Sequence, residues 1–398
     1  MIRRTHSILV GILLAGLILR LGWVLTRSGD EESLSALPDQ LEYLQCARQW
    51  MSGHDWRFYD PRVDQWVYGS RAPGYPLFLA ACGASIRVAR VVQSFADIST
   101  ALAAYLMARR LGQGRWALLA VSLVAFNPFL VYFSSLLLTE TLFTAILAWS
   151  MYLLLERQLL RGVALLAFGV LVRPSGLLLP AMMAAAAAWS VSRPLLRVAG
   201  WAAVGALATV IVLLPWAMRN QRVLGQWIWT TTNGGITAWD GLQPGATGAS
   251  DQRFVQSMPQ LRLMDELGRD AYFRGLVRQS IQSDPGRALR LSVPKIARMW
   301  SPIPLSETFG RPAYVMVGAA YAIPSLILAL TGFVVGLRPP TRMRRQMLLL
   351  LLPLLLLTLI HALSVGSLRY RMPLEPLLAV AAAGGAAALV SRYGYTGQ

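Results

Sequence analysis

Four arginines stand where the hydrophobic pattern of the chain predicts the outer ends of membrane spans: Arg71, Arg173, Arg369 and Arg371. Ionisable groups at membrane depth usually face an internal cavity. A guanidinium also binds phosphate oxygens in a forked, charge-assisted geometry. The four arginines therefore indicate a site for an anionic lipid headgroup. The alternative is that each one reaches toward lipid phosphates or pairs with a nearby carboxylate.

Two carboxylates are expected at the same outer level. Asp39 lies in ALPDQLEYLQCARQWMSG, and Glu140 lies in LLLTETLF. A carboxylate beside a low-dielectric surface can accept a proton, as general-base catalysis requires. The structural alternatives are a helix N-cap for Asp39 and a helix-start charge for Glu140. The scattered histidines and two cysteines fit no metal-ligand spacing, so we predict no metal site. The phosphate-binding arginines and the carboxylates on one membrane face instead suggest transfer chemistry on a lipid phosphate.

The composition identifies the chain as an integral membrane protein. Of its 398 residues, 55% are hydrophobic and only 14% are charged, whereas about 25% would be charged in a soluble domain. The formal charge of +18 does not indicate a nucleic-acid partner, because most arginines flank apolar runs. We attribute this charge to membrane orientation.

Ten segments are candidate membrane spans, and with the N-terminus inside, each short inside loop carries arginine, as the positive-inside rule requires. The agreement depends on residues 162–191 forming a hairpin of two short helices, broken at Arg173-Pro174, because proline disfavours helix in the preceding residue. A single span there would invert everything downstream. The ten segments are residues 8–25, 88–107, 116–133, 141–155, 162–172, 176–191, 198–216, 313–337, 347–365 and 374–390.

Two outer regions are large, residues 26–87 and 217–311. The second is too long for a linker. We therefore divide the chain into an N-terminal transmembrane module with the first outer loop (1–216), an extracytoplasmic loop domain (217–311) and C-terminal transmembrane helices (312–398). Arg20 and Asp97 fall inside spans, where we expect them to be structural partners or to reach toward the interface.

Several motifs occur together in this order. The first loop has an acid, then Tyr and Ala at helical spacing, then Gly; RAPGYPLFLA follows, with Arg71 and Tyr75. LLTETLF carries Glu140, and VRPSG carries Arg173. The longer stretch LLPWAMRNQRVLGQWIWTTTNGGITAWDG and the final RYRMPLEPLLAV supply the remaining matched polar positions, namely Arg219, Asn220, Asn233, Arg369 and Arg371.

On these motifs the chain, over residues 8–390, resembles the polytopic GT-C glycosyltransferases. The resemblance is to the family 39-type enzymes: protein O-mannosyltransferases, lipid A aminoarabinose transferases and the bacterial RgtA/B/C/D-like group. It implies an all-α polytopic GT-C-like fold with about 10 transmembrane helices, juxtamembrane helices and a loop domain. It also implies a sugar donor on a polyprenyl phosphate and an acceptor outside the cytoplasm.

The resemblance implies that Asp39 deprotonates the acceptor hydroxyl in an inverting displacement. Glu140 would orient Asp39 or the acceptor, and Arg71 with Arg369 and Arg371 would neutralise the departing polyprenyl phosphate. Many relatives carry a second acid beside the first, but here Gln40 follows Asp39, so we expect metal-independent chemistry without a cofactor. The other matched positions are expected to bind substrate: Tyr75, Arg173, Arg219, Asn220 and Asn233.

Two other classes of function remain open at this stage. One is a transporter or flippase for a polyprenyl-linked anionic lipid, although such proteins often place their broken helices at the bilayer midplane. The other is a non-catalytic membrane scaffold, which would leave the displaced arginines unexplained. We expect a multi-pass protein of the inner or plasma membrane, with both termini cytoplasmic and the site facing the periplasm or exterior. We expect its acceptor to be a glycan, a lipid or a protein. We also expect membrane lipids as partners and no nucleic-acid partner.

Overall fold

The computed structural model describes residues 2–191, 194–305, 311–338 and 341–393. Within these ranges the chain is mainly helical, with one two-stranded antiparallel sheet, β1 (Phe58–Asp60) and β2 (Gln65–Val67), in the first outer loop. The helices are α1 (Ile2–Leu25), α2 (Asp39–Met51), α3 (Gly74–Ala81), α4 (Ile86–Arg110), α5 (Ala117–Ala125), α6 (Pro128–Phe133), α7 (Thr139–Leu155), α8 (Leu159–Val172), α9 (Leu179–Val191), α10 (Leu195–Leu224), α11 (Gly234–Asp240), α12 (Glu266–Ser283), α13 (Pro285–Met299), α14 (Pro312–Gly336), α15 (Thr341–Leu363) and α16 (Glu375–Tyr393).

Seven of the described helical segments are long and apolar enough to cross a bilayer, and three shorter apolar segments accompany them. Together they correspond to the ten predicted spans, with one difference. The span predicted at residues 116–133 is two helices, α5 and α6. The break follows from local chemistry, because the Asn127 side chain caps α6 by accepting from the Phe129 and Leu130 amides and Pro128 occupies the first helical position.

The predicted break at Arg173-Pro174 is present. Helix α8 ends at Val172, and Arg173 is extended, with φ −142° and ψ 102°. Helix α8 runs antiparallel to α7, since Gly162 lies against Leu154 while Gly169 lies against Ile146. Helix α9 then leads back to the opposite face, where Ser190 accepts a hydrogen bond from Arg345 near the start of α15. The two short helices therefore form the expected hairpin.

Close packing and one buried ion pair join the membrane helices. Gly332 of α14 and Gly385 of α16 lie against backbone of the facing helix, with no room for a Cβ at either position. Small residues allow this approach of membrane helices. The Arg20 guanidinium donates to Asp97 at 2.5 Å and to the Ala125 carbonyl at 2.6 Å, which ties α1, α4 and α5 together. Of the two alternatives expected for Arg20 and Asp97, the structure shows the structural pair.

The two outer regions share an apolar core. Val63, beside the β1–β2 hairpin, packs with Trp239, Val255, Leu261 and Phe273 of the second region. The Glu266 carboxylate accepts from the Tyr68 and Gly69 amides, at 2.6 and 2.8 Å. The outer regions are therefore fixed to each other directly above the ends of the membrane helices. The part of the predicted 217–311 domain at residues 306–310 lies outside the described residues.

Candidate active site

Helix α2 presents Asp39 to two arginines that are distant from it in the sequence. Asp39 is the first residue of α2, and Pro38 occupies the N-cap position without a side-chain cap. The N-cap alternative for Asp39 is therefore wrong. Its carboxylate accepts instead from Nη2 of Arg71 at 2.6 Å and from Nη1 of Arg369 at 3.1 Å. The side chain of Asp39 retains 29% of its exposure, so a ligand can reach it.

A second carboxylate holds each of these arginines. Arg71 Nε donates to Glu42 at 2.6 Å, and Arg71 Nη2 also lies close to the Glu42 carboxylate. Arg369 Nε donates to Glu140 at 2.6 Å. Each guanidinium is thus fixed through its Nε and presents an Nη group to Asp39.

Glu140 is fully buried in the first turn of α7. Its Oε1 also lies 3.1 Å from Nη1 of Arg173, beyond the end of α8. Glu140 therefore does lie at the start of a helix, as the structural alternative expected. Its side chain also makes two ion pairs, with Arg369 and Arg173. Its Oε2 is buried with no hydrogen-bond partner in the described structure.

We call the resulting row the acid–arginine chain. Positive and negative groups alternate along it, and three carboxylates balance three guanidinium groups, so the row is neutral as a whole. It joins the first outer loop to α7, the α8–α9 turn and the segment before α16. In order, its members are Glu42, Arg71, Asp39, Arg369, Glu140 and Arg173.

Aromatic rings line the acid–arginine chain. The Tyr370 ring centroid lies 5.2 Å from the Arg173 guanidinium carbon and 5.7 Å from that of Arg369. His361 stacks on Tyr370, with ring centroids 3.8 Å apart. The Arg71 guanidinium carbon lies 5.3 Å from the Tyr43 ring centroid. Cation–π contact with these rings holds the guanidinium groups in place.

Burial and ion pairing act in opposite directions on the two carboxyl groups of α2. Burial alone would raise the pKa of Asp39, but the guanidinium groups of Arg71 and Arg369 outweigh it and hold that pKa well below its usual range. Glu42 is different: burial, helped by the neighbouring Asp39 charge, raises its pKa despite Arg71. Asp39 is therefore ionised at neutral pH, and as long as both ion pairs persist it is a weak base.

Glu42, Tyr370 and His361 lie at the site but were not among the predicted site residues. Glu42 could have been recognised, because it lies three residues after Asp39 and so shares a face of α2. Tyr370 lies between two residues that were named. His361 had no local signal, since it reaches Tyr370 only through the packing of α15.

Tyr75 lies behind the site. It is fully buried, its hydroxyl hydrogen-bonds to Gln93, and its ring meets Tyr43 edge-on at 5.1 Å. It supports Tyr43, which in turn lies beneath Arg71.

Arg219 and Asn220 donate hydrogen bonds to backbone carbonyls of the outer regions. The Arg219 guanidinium pairs with Asp55 at 2.8 Å and donates to the carbonyls of Trp56 and Tyr68. Asn220 donates to the Ile228 carbonyl at 2.8 Å. Neither contact involves the acid–arginine chain, so these two residues connect the end of α10 to the loops above it.

Asn233 lies further out, where it lines a cavity of about 50 Å³ between the two outer regions. Arg62, on the same wall, lies 3.9 Å from Glu42. The cavity is therefore adjacent to one end of the acid–arginine chain.

Arg371 lies apart from the other predicted arginines. It is fully buried, pairs with Glu375 at 2.7 Å and donates to the Ser301 carbonyl at 2.6 Å. Glu375 in turn accepts from Asn127 at 2.9 Å. The structure thus brings Asp39, Glu140, Arg71, Arg173 and Arg369 together, but it places Arg371 in a separate buried network.

No group of three or more His, Cys, Asp or Glu side chains that could hold a metal ion occurs among the described residues. The acid–arginine chain has three carboxylates, but an arginine separates each from the next. What this arrangement offers is exchangeable guanidinium donors beside an ionised carboxylate. Such a set can bind an anion next to a proton acceptor.

No protein-family model matches the chain, and no curated protein matches it in sequence. Solved structures do match. The archaeal oligosaccharyltransferase AglB from Archaeoglobus fulgidus, in complex with an inhibitory peptide and a dolichol-phosphate, has 14% identity and a TM-score of 0.57, covering 98% of this chain and 50% of that one. An apo oligosaccharyltransferase from the same organism has 13% identity and a TM-score of 0.57, covering 98% and 51%.

A third structure from that organism, an oligosaccharyltransferase tethered to an acceptor peptide with the NVT sequon, has 13% identity and a TM-score of 0.51, covering 98% of this chain and 50% of that one. The chain spans about half the length of these proteins. The likeness at this identity concerns the fold, which is all-α and polytopic like that of these oligosaccharyltransferases. Membership of the GT-C glycosyltransferases, and of their family 39-type subtype, remains a prediction.

Proposed function

We propose that the chain is a membrane glycosyltransferase that moves a sugar from a polyprenyl phosphate to an acceptor hydroxyl outside the cytoplasm. One observation carries the proposal: Asp39 lies between the Nη groups of Arg71 and Arg369, at one end of the bundle of membrane helices. The similar archaeal structure that contains a dolichol-phosphate supports a lipid-linked donor, and the one tethered to an acceptor peptide supports a separate acceptor.

The proposed reaction is a single displacement with inversion. The Asp39 carboxylate takes the proton of the acceptor hydroxyl, and the acceptor oxygen forms a bond to the anomeric carbon. The bond between that carbon and the phosphate oxygen breaks, and its electron pair leaves with the polyprenyl phosphate. Arg71 and Arg369 neutralise the negative charge that develops on that phosphate. No cofactor takes part in these bond changes.

The ion pairs of Asp39 suggest how donor binding would activate the base. Asp39 is a weak base while both arginines contact it, because they lower its pKa. A donor phosphate competes for the same Nη groups, while Glu42 and Glu140 keep each Nε in place. When the phosphate draws the Nη groups away, the pKa of Asp39 rises toward its usual value. Basicity would then appear only when the donor is present.

The outer regions would supply the acceptor side of the reaction. The 217–311 domain covers the first outer loop through their shared apolar core. We therefore propose that it selects the acceptor and faces the periplasm or exterior. The arginines at the opposite helix ends, including Arg110 and Arg345, support cytoplasmic termini under the positive-inside rule.

The test uses the full chain in lipid nanodiscs with a panel of polyprenyl-phosphate hexoses and pentoses and a membrane extract as the source of acceptors. Mass spectrometry should detect free polyprenyl phosphate as it is released. In sealed proteoliposomes, sugar-bearing lipid that crosses between leaflets unaltered, with no release, would instead identify a transporter or flippase.

Binding of sugar-free polyprenyl phosphate tests the arginine role separately. Replacing Arg369 by Ala should weaken that binding about 10- to 150-fold, because charge-assisted hydrogen bonds contribute about 1.5–3 kcal/mol. The matched control is Arg48→Ala, since Arg48 forms an exposed pair with Glu31 on the same outer loop and should bind normally. Equal affinity of the Arg369→Ala variant and the unmodified protein would contradict the proposed phosphate site.

A further inference from the structure

We propose that a groove between α9 and α15, at the membrane face opposite the acid–arginine chain, binds an anionic phospholipid of that leaflet. The groove has a volume of about 170 Å³. Helix α9 contributes Ala186 and Trp189, and helix α15 contributes Arg345 at one end and then leucines that include Leu348, Leu352 and Leu355. The groove is therefore apolar along its length and cationic at its mouth.

The leucines share one face of α15. Leu348, Leu352 and Leu355 follow the i, i+4, i+7 spacing of a helical stripe. From Arg345 to Leu355 the helix rises about 15 Å, which is about half of a bilayer hydrocarbon core. An extended acyl chain whose headgroup lies at Arg345 would run along this stripe. The groove thus has the direction and length that a chain of one leaflet requires.

Arg345 supplies the headgroup contact. Among the described residues, its guanidinium makes one hydrogen bond, from Nη1 to the Ser190 carbonyl at 3.2 Å, and it lies 5.7 Å from the Trp189 ring centroid. Within the described ranges no carboxylate forms an ion pair with it. A phosphate diester can accept the remaining N–H donors, and a tryptophan beside the headgroup is typical of membrane interfaces.

The surrounding charge favours an anionic lipid over a zwitterionic one. Arg338 and Arg344 are exposed near the same end of α14 and α15. An ethanolamine ammonium would be repelled by these guanidinium groups, whereas each basic residue near a membrane surface attracts anionic lipid by about 1 kcal/mol. We therefore assign the groove to a lipid such as phosphatidylglycerol.

This site is separate from the one proposed for catalysis. His361, which stacks against the Tyr370 ring of the catalytic site, lies 16 residues after Arg345 on the same helix, or about 24 Å away along the axis. One lipid phosphate cannot reach both ends. The inference is therefore independent of the proposed function, and each can fail without the other.

Native mass spectrometry of the detergent-purified protein tests the site, with phosphatidylglycerol and phosphatidylethanolamine of matched chains as probes. Phosphatidylglycerol should be retained at least about tenfold more strongly, a difference of about 1.4 kcal/mol. Arg345→Ala should abolish that preference. Arg344→Ala, which removes a nearby charge but no residue that lines the groove, should lower the preference less than Arg345→Ala does.

A second variant tests the acyl groove itself. Leu352→Trp fills the groove without changing charge, and it should lower phosphatidylglycerol retention. Chemical unfolding at the denaturant concentration that unfolds the unmodified protein shows that the variant is folded. Equal losses in Arg344→Ala and Arg345→Ala, equal retention of the two lipids by the unmodified protein, or unchanged retention in Leu352→Trp would each overturn the proposal.

Discussion

Asp39→Asn separates the catalytic role of Asp39 from its structural role. Asparagine keeps the size of the side chain and one acceptor oxygen but cannot take a proton at neutral pH. Loss of a positioned general base lowers turnover by about 10²- to 10⁴-fold, which corresponds to about 3–5 kcal/mol of transition-state stabilisation. We expect release of polyprenyl phosphate to fall by that factor.

Asp39→Asn should change the free energy of unfolding by less than it changes the free energy of activation. The Asp39 side chain is 29% exposed, and its partners Arg71 and Arg369 are 15% and 23% exposed. Pairs that water still reaches contribute about 1 kcal/mol or less each, so the free energy of unfolding should fall by no more than about 2 kcal/mol. The affinity for sugar-free polyprenyl phosphate should hold or increase, because the competing anion at the guanidinium groups has been removed.

The measurements are a time course of polyprenyl phosphate release, its binding affinity and chemical unfolding, all in the same nanodiscs. The control is Glu31→Gln, which removes an exposed acid of the same loop whose pair with Arg48 lies outside the site. It should behave as the unmodified protein does. Turnover of Asp39→Asn within about tenfold of the unmodified protein, or a loss of turnover that only parallels unfolding, would refute the base assignment.

Three further substitutions test the rest of the structure. Arg371→Ala should lower the free energy of unfolding by about 3–5 kcal/mol, because it leaves a buried carboxylate unpaired; weakened donor binding without that loss would contradict the separate network. Arg20→Leu should lower the free energy of unfolding, measured by chemical denaturation, by a similar amount. Adding Asp97→Leu should restore most of that free energy, whereas additive losses would argue against the pair. Burial, then Arg287, lowers the Lys295 pKa from 10.5 to about 8. The unfolded chain then binds more protons between those values, and the free energy of unfolding rises with pH across that window. Lys295→Met should remove the rise, and an unchanged pH slope would refute it.

Local patterns were sufficient for much of the fold. Hydrophobic run length predicted the membrane segments because a bilayer imposes one dimension on every span. The Arg-Pro dipeptide predicted the break after α8 because proline acts on its immediate neighbour. The break before α6 was not predicted, although the Asn127-Pro128 dipeptide is also typical of a helix start and lies inside an otherwise apolar run.

The site was only partly predictable from the sequence. The sequence placed Asp39, Arg71, Glu140, Arg173 and Arg369 at one membrane level through their positions at span ends. It could not say which arginine pairs with which acid, because Asp39 and Arg369 are separated by 330 residues. Their contact depends on how α2, α7 and the segment before α16 pack together.

The two arginines of RYR illustrate the boundary between the two kinds of information. The sequence by itself determined that Arg369 and Arg371 lie just before the last span, at one end of it. The tertiary structure decided that only Arg369 faces Asp39, while Arg371 points to Glu375 and the Ser301 carbonyl. The physical reason is that Leu368–Leu374 is a 3₁₀ helix. Three residues complete each of its turns, so side chains two positions apart leave in different directions, and only the surrounding helices determine what each one meets.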